Sequence, residues 1–441
     1  MNLTSLSDRL KPYWESLSTS YWFIPICMML ASGIICGACL FIVQRATLPD
    51  SLLFFVPLVT QSGAMQLLST LATAIITATS IAFSMTLVAL TLASSQFGPR
   101  LIRTFMNDRG TQVVLGTLVS TFLFCMISLH HISSIQENQD AISLLCAVSV
   151  VLGVIDVVVI IYFIHHVSTS IQADHVIKRC FEELCRDISA LLPKPESPAS
   201  LRAISSELIT GAEEQTVIKA TREGYIQNIN YDVLTTVRTD IVAGIEVLGR
   251  SGDHVFPDAE VVIVHSHCPL PDSVQKQFEQ YIIIGNSRTP IQDPEFAVGQ
   301  LVEIALRALS PGINDPFTAI TCLDRLTSAC ILMSRREFPH ECVINESTSK
   351  WLKRRTFTFE GVVDKSFDQI RQAGKKHVAI GLHILLCLDV LNGQTNGRYH
   401  GMLFGHAIAT RDLLKTEPLV QKDDAAIDIA FNRLKDPSGA Q

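Results

Sequence analysis

Ser69, Thr70, Thr73, Thr77, Ser80, Ser84 and Thr91 recur mostly at steps of three, four or seven along an otherwise apolar stretch, residues 67–96. Helical spacing puts most of these hydroxyls on one stripe, with Ala78, Ala82, Ala89 and Ala93 on a second stripe of small side chains. Hydrocarbon asks only for apolar bulk, so such a helix is expected to face protein or water along much of its length. Two chemistries fit. Thr73, Thr77, Ser80, Ser84 and Thr91 line a polar path for a small ion, or they bond back to their own backbone and permit close packing. Asp156, inside the apolar run VLGVIDVVVIIYF, extends the choice. A charge at mid-helix costs about 2.5–3.5 kcal/mol on insertion scales, so Asp156 should face the bundle as an ion or proton site, or as a packed, hydrogen-bonded carboxyl. Arg100 and Arg103 follow the hydroxyl stretch. They form a cationic ring at the mouth of an oligomeric pore, or they simply mark the cytoplasmic side.

A second cluster lies in RALSPGINDPFTAI, residues 307–320. Pro311 and Gly312 should stop one helix, Asn314 or Asp315 can cap the next, and Pro316 fits its first turn. Arg307, Ser310, Asn314, Asp315 and Thr318 then converge on one cytoplasmic loop, which binds an anion or a partner, or is a rigid corner whose polar groups satisfy one another. His265, His267 and Cys268 offer at best a weak metal pair; His377, His383, His400 and His406 have no strong ligand spacing. His130, His131, His165 and His166 end apolar runs, as interfacial side chains or as pH sensors. No Walker A loop, HExxH, GxSxG or dinucleotide fingerprint occurs, so an enzyme is the least supported class, with no catalytic residue, no metal and no cofactor expected.

The elements that carry these groups follow from hydropathy. The chain has 441 residues, mean hydropathy +0.32 and 17% charged residues, below the ~25% of soluble domains, with the charge sparse before Ser168. A net charge of −7 argues against a general nucleic-acid binder. Of the 12 cysteines, Cys27, Cys36, Cys39, Cys125 and Cys146 lie in apolar runs as small hydrophobes, and the seven in the soluble part include no CxxC pair, which fits a reducing compartment and neither a zinc nor a disulfide framework. Runs long enough to span occur at about 21–43, 70–91, 113–132 and 142–164, the first read as a retained helix. Arg9 and Lys11 precede the first, Arg100, Arg103 and Arg109 follow the second, and Lys178, Arg179 and Arg186 follow the fourth, while the loop after the third has no Lys or Arg. Alternating positive loops predict both termini inside.

The expected fold class is an α-helical multi-pass membrane bundle of four transmembrane helices, followed by a cytoplasmic α+β region with a small β-barrel-like module. The divisions are 1–167 transmembrane, 168–198 connecting helix and linker, 199–271 β module and 272–441 mainly helical. In the β module, VLGRSGDHVFPDAEVVIV resembles the turn-rich pattern of biotinyl and lipoyl domains but lacks their cofactor lysine. Helices are expected at 273–281, 296–309, 318–334, 364–391 and near 425–434, with 168–192 extending the fourth membrane helix.

The segments ITATSIAFSMTLVALTLASSQFGPRLIRTFMNDRGTQVVLGT, YFIHHVSTSIQ and QDPEFAVGQLVEIALRALSPGINDPFTAITCLDRL, with WFIP in the first span, resemble the bacterial membrane family called domain of unknown function 2254. The likeness covers nearly the whole chain and implies a multi-pass inner-membrane protein with no assigned activity. The residues point to a homo-oligomeric channel or transporter-like protein with a cytoplasmic gating and assembly region, in contact with the lipid bilayer. The alternative is a non-conducting scaffold or sensor acting through its cytoplasmic domain.

Overall fold

A computed structural model describes residues 22–45, 59–98, 108–134, 139–193, 201–205, 213–237 and 240–435. Its contacts fall into two compact units, Met1–His175 and Val176–Gln441.

The first unit is helical: α1 (Phe23–Arg45), α2 (Gln61–Phe97), α3 (Arg109–Ser134) and α4 (Gln139–Ser170). The α3 helix packs against all three others around Leu115, Leu118, Phe124 and Cys125. Gly116 permits its close approach to α1, because a Cβ there would lie 2.6 Å from Met28 Sδ and 3.2 Å from Pro25 Cα. Thr60 caps α2 by accepting from the Gly63 amide, and Gly98, at φ 110°, ends it. With 37 residues, α2 is about 55 Å long, well beyond the ~30 Å of a bilayer core. Near its start, Gln61 Nε2 donates to the Ile132 carbonyl at 2.9 Å, tying α2 to the end of α3. The apolar stretch does not run on unbroken: α4 stops at Ser170 and α5 (Ala173–Leu191) begins after a break at 171–172.

In the second unit the amphipathic α5 buries Val176, Ile177, Cys180, Leu184 and Ile188. Among the described residues nine strands follow, with short and long helices between them: β1 (Leu201–Ala203), β2 (Glu214–Lys219), β3 (Gly224–Ile229), α6 (Tyr231–Leu234), β4 (Val242–Val247), β5 (His254–Val255), β6 (Glu260–Ser266), α7 (Asp272–Gln280), β7 (Ile282–Gly285), α8 (Pro294–Ala308), α9 (Pro316–Ser334), β8 (Cys342–Asn345) and β9 (Trp351–Arg354). Four helices close the described chain: α10 (Phe359–Ala373), α11 (Val378–Gln394), α12 (His400–Leu414) and α13 (Gln421–Lys435).

Among the described residues the strands make two open sheets, ordered β1-β8-β9-β4-β6-β2 and β5-β3-β7, where the sequence suggested a barrel-like module. The difference has a local cause. The β9 strand, from well beyond residue 271, inserts between β8 and β4 and runs parallel to β4, so the larger sheet needs strands that 199–271 does not contain. The helices form a layered core in which α9 packs on α8, α10 and α11, and α11 on α12 and α13. The expected helix 364–391 is two helices. Gly374 ends α10, and a Cβ on it would meet Ile380 Cγ2 at 2.6 Å, so the chain turns tightly before α11. Among the described residues, five helices are long and apolar enough to cross a membrane: α1, α2, α3, α4 and α9.

Two positions fix the larger sheet. Gly244 pairs with Trp351 across β4 and β9, and a Cβ on Gly244 would fall 1.9–2.4 Å from atoms of the indole ring. Gly244→Ala is therefore expected to lower stability by about 1–3 kcal/mol through overpacking. Gly393→Ala, with nothing within 4 Å of the added carbon, should be neutral or mildly stabilising. Thermal unfolding of the two variants against the parent checks this.

Lys350 is only 2% exposed and its ammonium donates to the Val237 carbonyl. Burial pulls its pKa down from 10.5 to about 8, partly offset by Asp240. Between those values the unfolded chain binds the extra proton, so this lysine makes stability rise with pH from about 8 to about 10.5. Denaturation of the parent and of Lys350→Met on either side of that window should show the rise in the parent and its loss in the variant.

Candidate functional site

The inward face of α2 carries Ala64, Leu68, Ala72, Ile75, Thr79, Ala82, Ala93 and Phe97. At about 100° per residue, Thr73, Thr77, Ser80, Ser84 and Thr91 lie on the opposite side, and all five are exposed. The two stripes in the sequence thus separate: alanines turn toward the bundle and hydroxyls turn away from it. Thr73, Thr77 and Thr91 each donate to the carbonyl four residues earlier at 2.8 Å, and Ser80 does so at 2.9 Å. Such bonds satisfy the hydroxyl without any neighbour and still leave oxygen lone pairs on the outer face.

Asp156 sits elsewhere, 2% exposed in the interior of the helical unit. Thr121 of α3 has one hydroxyl proton and two acceptors in reach: the Thr117 carbonyl at 3.1 Å and Asp156 Oδ1 at 3.2 Å. Asp156 Oδ2 is buried without a hydrogen-bond partner. Ser32, donating to the Ser120 carbonyl at 2.7 Å, and the Cys36–Ser128 contact at 3.7 Å add polar links between α1 and α3. Within one chain, the structure does not bring Asp156 and the hydroxyl stripe together.

Arg100 and Arg103 lie outside the described residues. The neighbouring end of α3 shows a group that the sequence did not single out, Asp108. It accepts from the Thr111 amide at 3.0 Å, the Thr111 hydroxyl at 2.7 Å and His166 Nε2 of α4 at 2.6 Å. Tyr162 stacks on His166, and Gly110 leaves room for the imidazole, since a Cβ there would lie 2.6 Å from Nε2. Burial opposes the charge on Asp108, but the bonds from His166 and Thr111 hold its carboxyl below the usual range. His166 was legible only as a helix-terminal histidine; its partner is 58 residues away in sequence.

At the corner between α8 and α9, Asp315 caps α9: its carboxylate accepts from the Phe317 and Thr318 amides at 3.1 Å and from the Thr318 hydroxyl at 2.6 Å. The Thr318 hydroxyl bond, outweighing the burial, holds the Asp315 carboxyl below its ordinary range. Asn314 takes φ 51°, a conformation asparagine tolerates, and the Asp315 amide closes the turn on the Ala308 carbonyl at 2.7 Å. Ser310 donates to the Arg307 carbonyl at 2.6 Å, and Arg307 approaches Glu303 at 3.7 Å. The polar groups are used in building the corner. What it presents outward is apolar, with Phe317 79% exposed and Ile313 also exposed. Loss of the cap in Asp315→Ala is expected to cost about 1 kcal/mol, read as a lower unfolding midpoint.

Elsewhere in the second unit, His265 packs on Trp351 with ring centroids 4.8 Å apart, and burial lowers its pKa, while His267 and Cys268 are exposed past the end of β6. A solvent-open cleft of about 600 Å3 is edged by Arg250, Arg354, Arg355, Tyr231 and Phe357. Its charge is largely neutralised from within. Arg250 pairs with Glu295 at 2.9 Å, Arg355 with Asp253 at 3.0 Å, and Arg354 lies over the Tyr231 ring while donating to the His340 carbonyl.

The family described as "Predicted membrane protein (DUF2254)" matches residues 18–390, and the chain belongs to it. Uncharacterized proteins of Mycobacterium bovis and Mycobacterium tuberculosis are similar, each 30% identical over 348 residues, which is 77% of this chain and 65% of the relative. The chain thus spans just under two thirds of the length of these curated relatives. No solved structure matches it.

Proposed function

We propose that this membrane protein crosses the bacterial inner membrane four times, through α1 to α4, with both termini cytoplasmic, and acts as a homo-oligomeric channel or transporter-like protein assembled along α2. The observation that carries the reading is the outward hydroxyl face of α2, set opposite the face its own bundle covers. In a lone chain that face would meet acyl chains, which gain nothing from rows of oxygen; against copies of itself it makes a small-residue seam or a polar path. Homo-oligomers close by symmetry, and a face that meets its own copy needs no second protein.

The count of four rests on α9. Asp324 and Arg325 sit near its middle, and its apolar side chains Cys322, Leu323, Leu326 and Met333 are buried within the second unit. Orientation rests on the alternating positive loops. Asp156 supplies a separate polar point inside each protomer, where Oδ2 is free to take a proton or a small cation. By the charge pattern of the sequence alone, Arg100 and Arg103, outside the described residues, belong to the cytoplasmic loop after this span, and the second unit serves gating or assembly. The exposed apolar pair Ile313 and Phe317 favours one alternative, a non-conducting scaffold or sensor that docks a partner at the corner holding Arg307, Ser310, Asn314, Asp315 and Thr318.

Disulfide trapping and ion flux in liposomes separate these readings. Thr77→Cys and Ser84→Cys should give dimer-sized products well above those of Val151→Cys, an exposed control on α4. The channel reading expects flux of a small ion under voltage or pH steps, reduced in Ser80→Leu. Trapping without flux of any common ion leaves the scaffold; no trapping above the control overturns assembly along α2.

A further inference from the structure

His383 and Cys387 stand one helical turn apart on α11, so both side chains emerge on one face. The helix packed against that face, α9, contributes Asp324, whose Oδ1 lies 2.7 Å from His383 Nε2. One donor atom from each of the three side chains falls within 4.8 Å of the other two. We propose that Asp324, His383 and Cys387 form a binding site for a divalent transition-metal ion of the zinc type.

The donor set selects the class of ion. Calcium and magnesium need six or more oxygen ligands, and a single carboxylate cannot supply them. An imidazole nitrogen, a thiolate and a carboxylate are the three donors zinc prefers, and one thiolate with one carboxylate cancels its double charge. Zinc–ligand bonds of about 2.0–2.3 Å place tetrahedral donors roughly 3.3–3.7 Å apart. The 2.7 Å contact must therefore open by less than about 1 Å. Asp324 can provide that movement, because its side chain is 58% exposed.

The other two ligands are held more firmly. Ile384, Leu388 and Leu391 anchor α11 in the core, and Leu323 and Leu326 anchor α9. Exposure falls from Asp324 through His383 to the buried Cys387, giving the ion an entry path from solvent and leaving the fourth position to water.

The same three residue types also make nucleophilic triads, but the surroundings of Cys387 oppose that use. Burial pushes its thiol up to about 11, only partly countered by a hydrogen bond from Thr327, so the reactive thiolate is scarce in the metal-free protein. The site stands whichever role the outer face of α2 plays.

The test is cobalt titration of the purified full chain in detergent, with thiols reduced. The expected result is a thiolate-to-cobalt charge-transfer band in the near ultraviolet, with visible bands of tetrahedral strength, saturating at one ion per chain and displaced by zinc. Cys387→Ser should abolish the charge-transfer band, while Cys342→Ser, at a distant strand, should keep it. His383→Gln and Asp324→Asn should each weaken cobalt binding by roughly 10-fold or more, since even outer-shell partners command 10–100-fold. Asp324→Asn changes an exposed side chain, so it tests the site even if Cys387→Ser folds poorly. Absence of a saturable band in the parent, or a band unchanged in affinity in Cys387→Ser and Asp324→Asn, would overturn the proposal.

Discussion

A polar group carried into hydrocarbon must bring its own hydrogen-bond partner, and that constraint shapes the helical unit. On α2 the partner is the backbone itself: Thr70, Thr73, Thr77, Ser80 and Thr91 each return their proton to the carbonyl one turn back. These five can then display oxygens along the outer side with their protons already used, while alanines and branched apolar residues fill the bundle. Asp156 departs from the rule. It shares one hydroxyl with a backbone carbonyl and has a second oxygen with no partner.

The second unit meets the same demand with charge. Glu295, largely buried, lies between Arg250 at 2.9 Å and Lys365 at 3.2 Å, and Asp293 is held by Arg288. These pairs tie α8 to the loop after β4 and to α10. At the corner before α9 the polar groups are again consumed internally. An anion would have to compete with Asp315 for the same two amides.

Much of this organisation was legible in the residues. The apolar runs and their helical period announce α1 to α4, the Asn-Asp-Pro sequence announces the cap and first turn of α9, and the hydroxyl ladder stands out as a stripe. The direction of that stripe was not legible, because alanines and hydroxyls are both small and either face could have packed inward. The β8 and β9 strands, only four residues each, give too short a period to separate from loop, and the strands they join, β1 and β4, lie far along the chain. Without them the β segments read as a self-contained barrel. Likewise Asp108 and His166, or Asp324 and His383, are 58 and 59 residues apart, and no local spacing joins them. The expected helix 364–391 ran through Gly374, whereas that glycine ends α10 where an added Cβ would meet Ile380.

The parallel neighbour of β4 is encoded more than a hundred residues downstream, after two long helices. During synthesis the ribosome therefore delivers β4 with one flank bare, and that edge must wait for Trp351–Arg354 to emerge. A waiting edge is a template for pairing with another chain. The indole that later settles over Gly244 thus completes the sheet late, and nascent chains crowded on neighbouring ribosomes have that interval in which to pair wrongly.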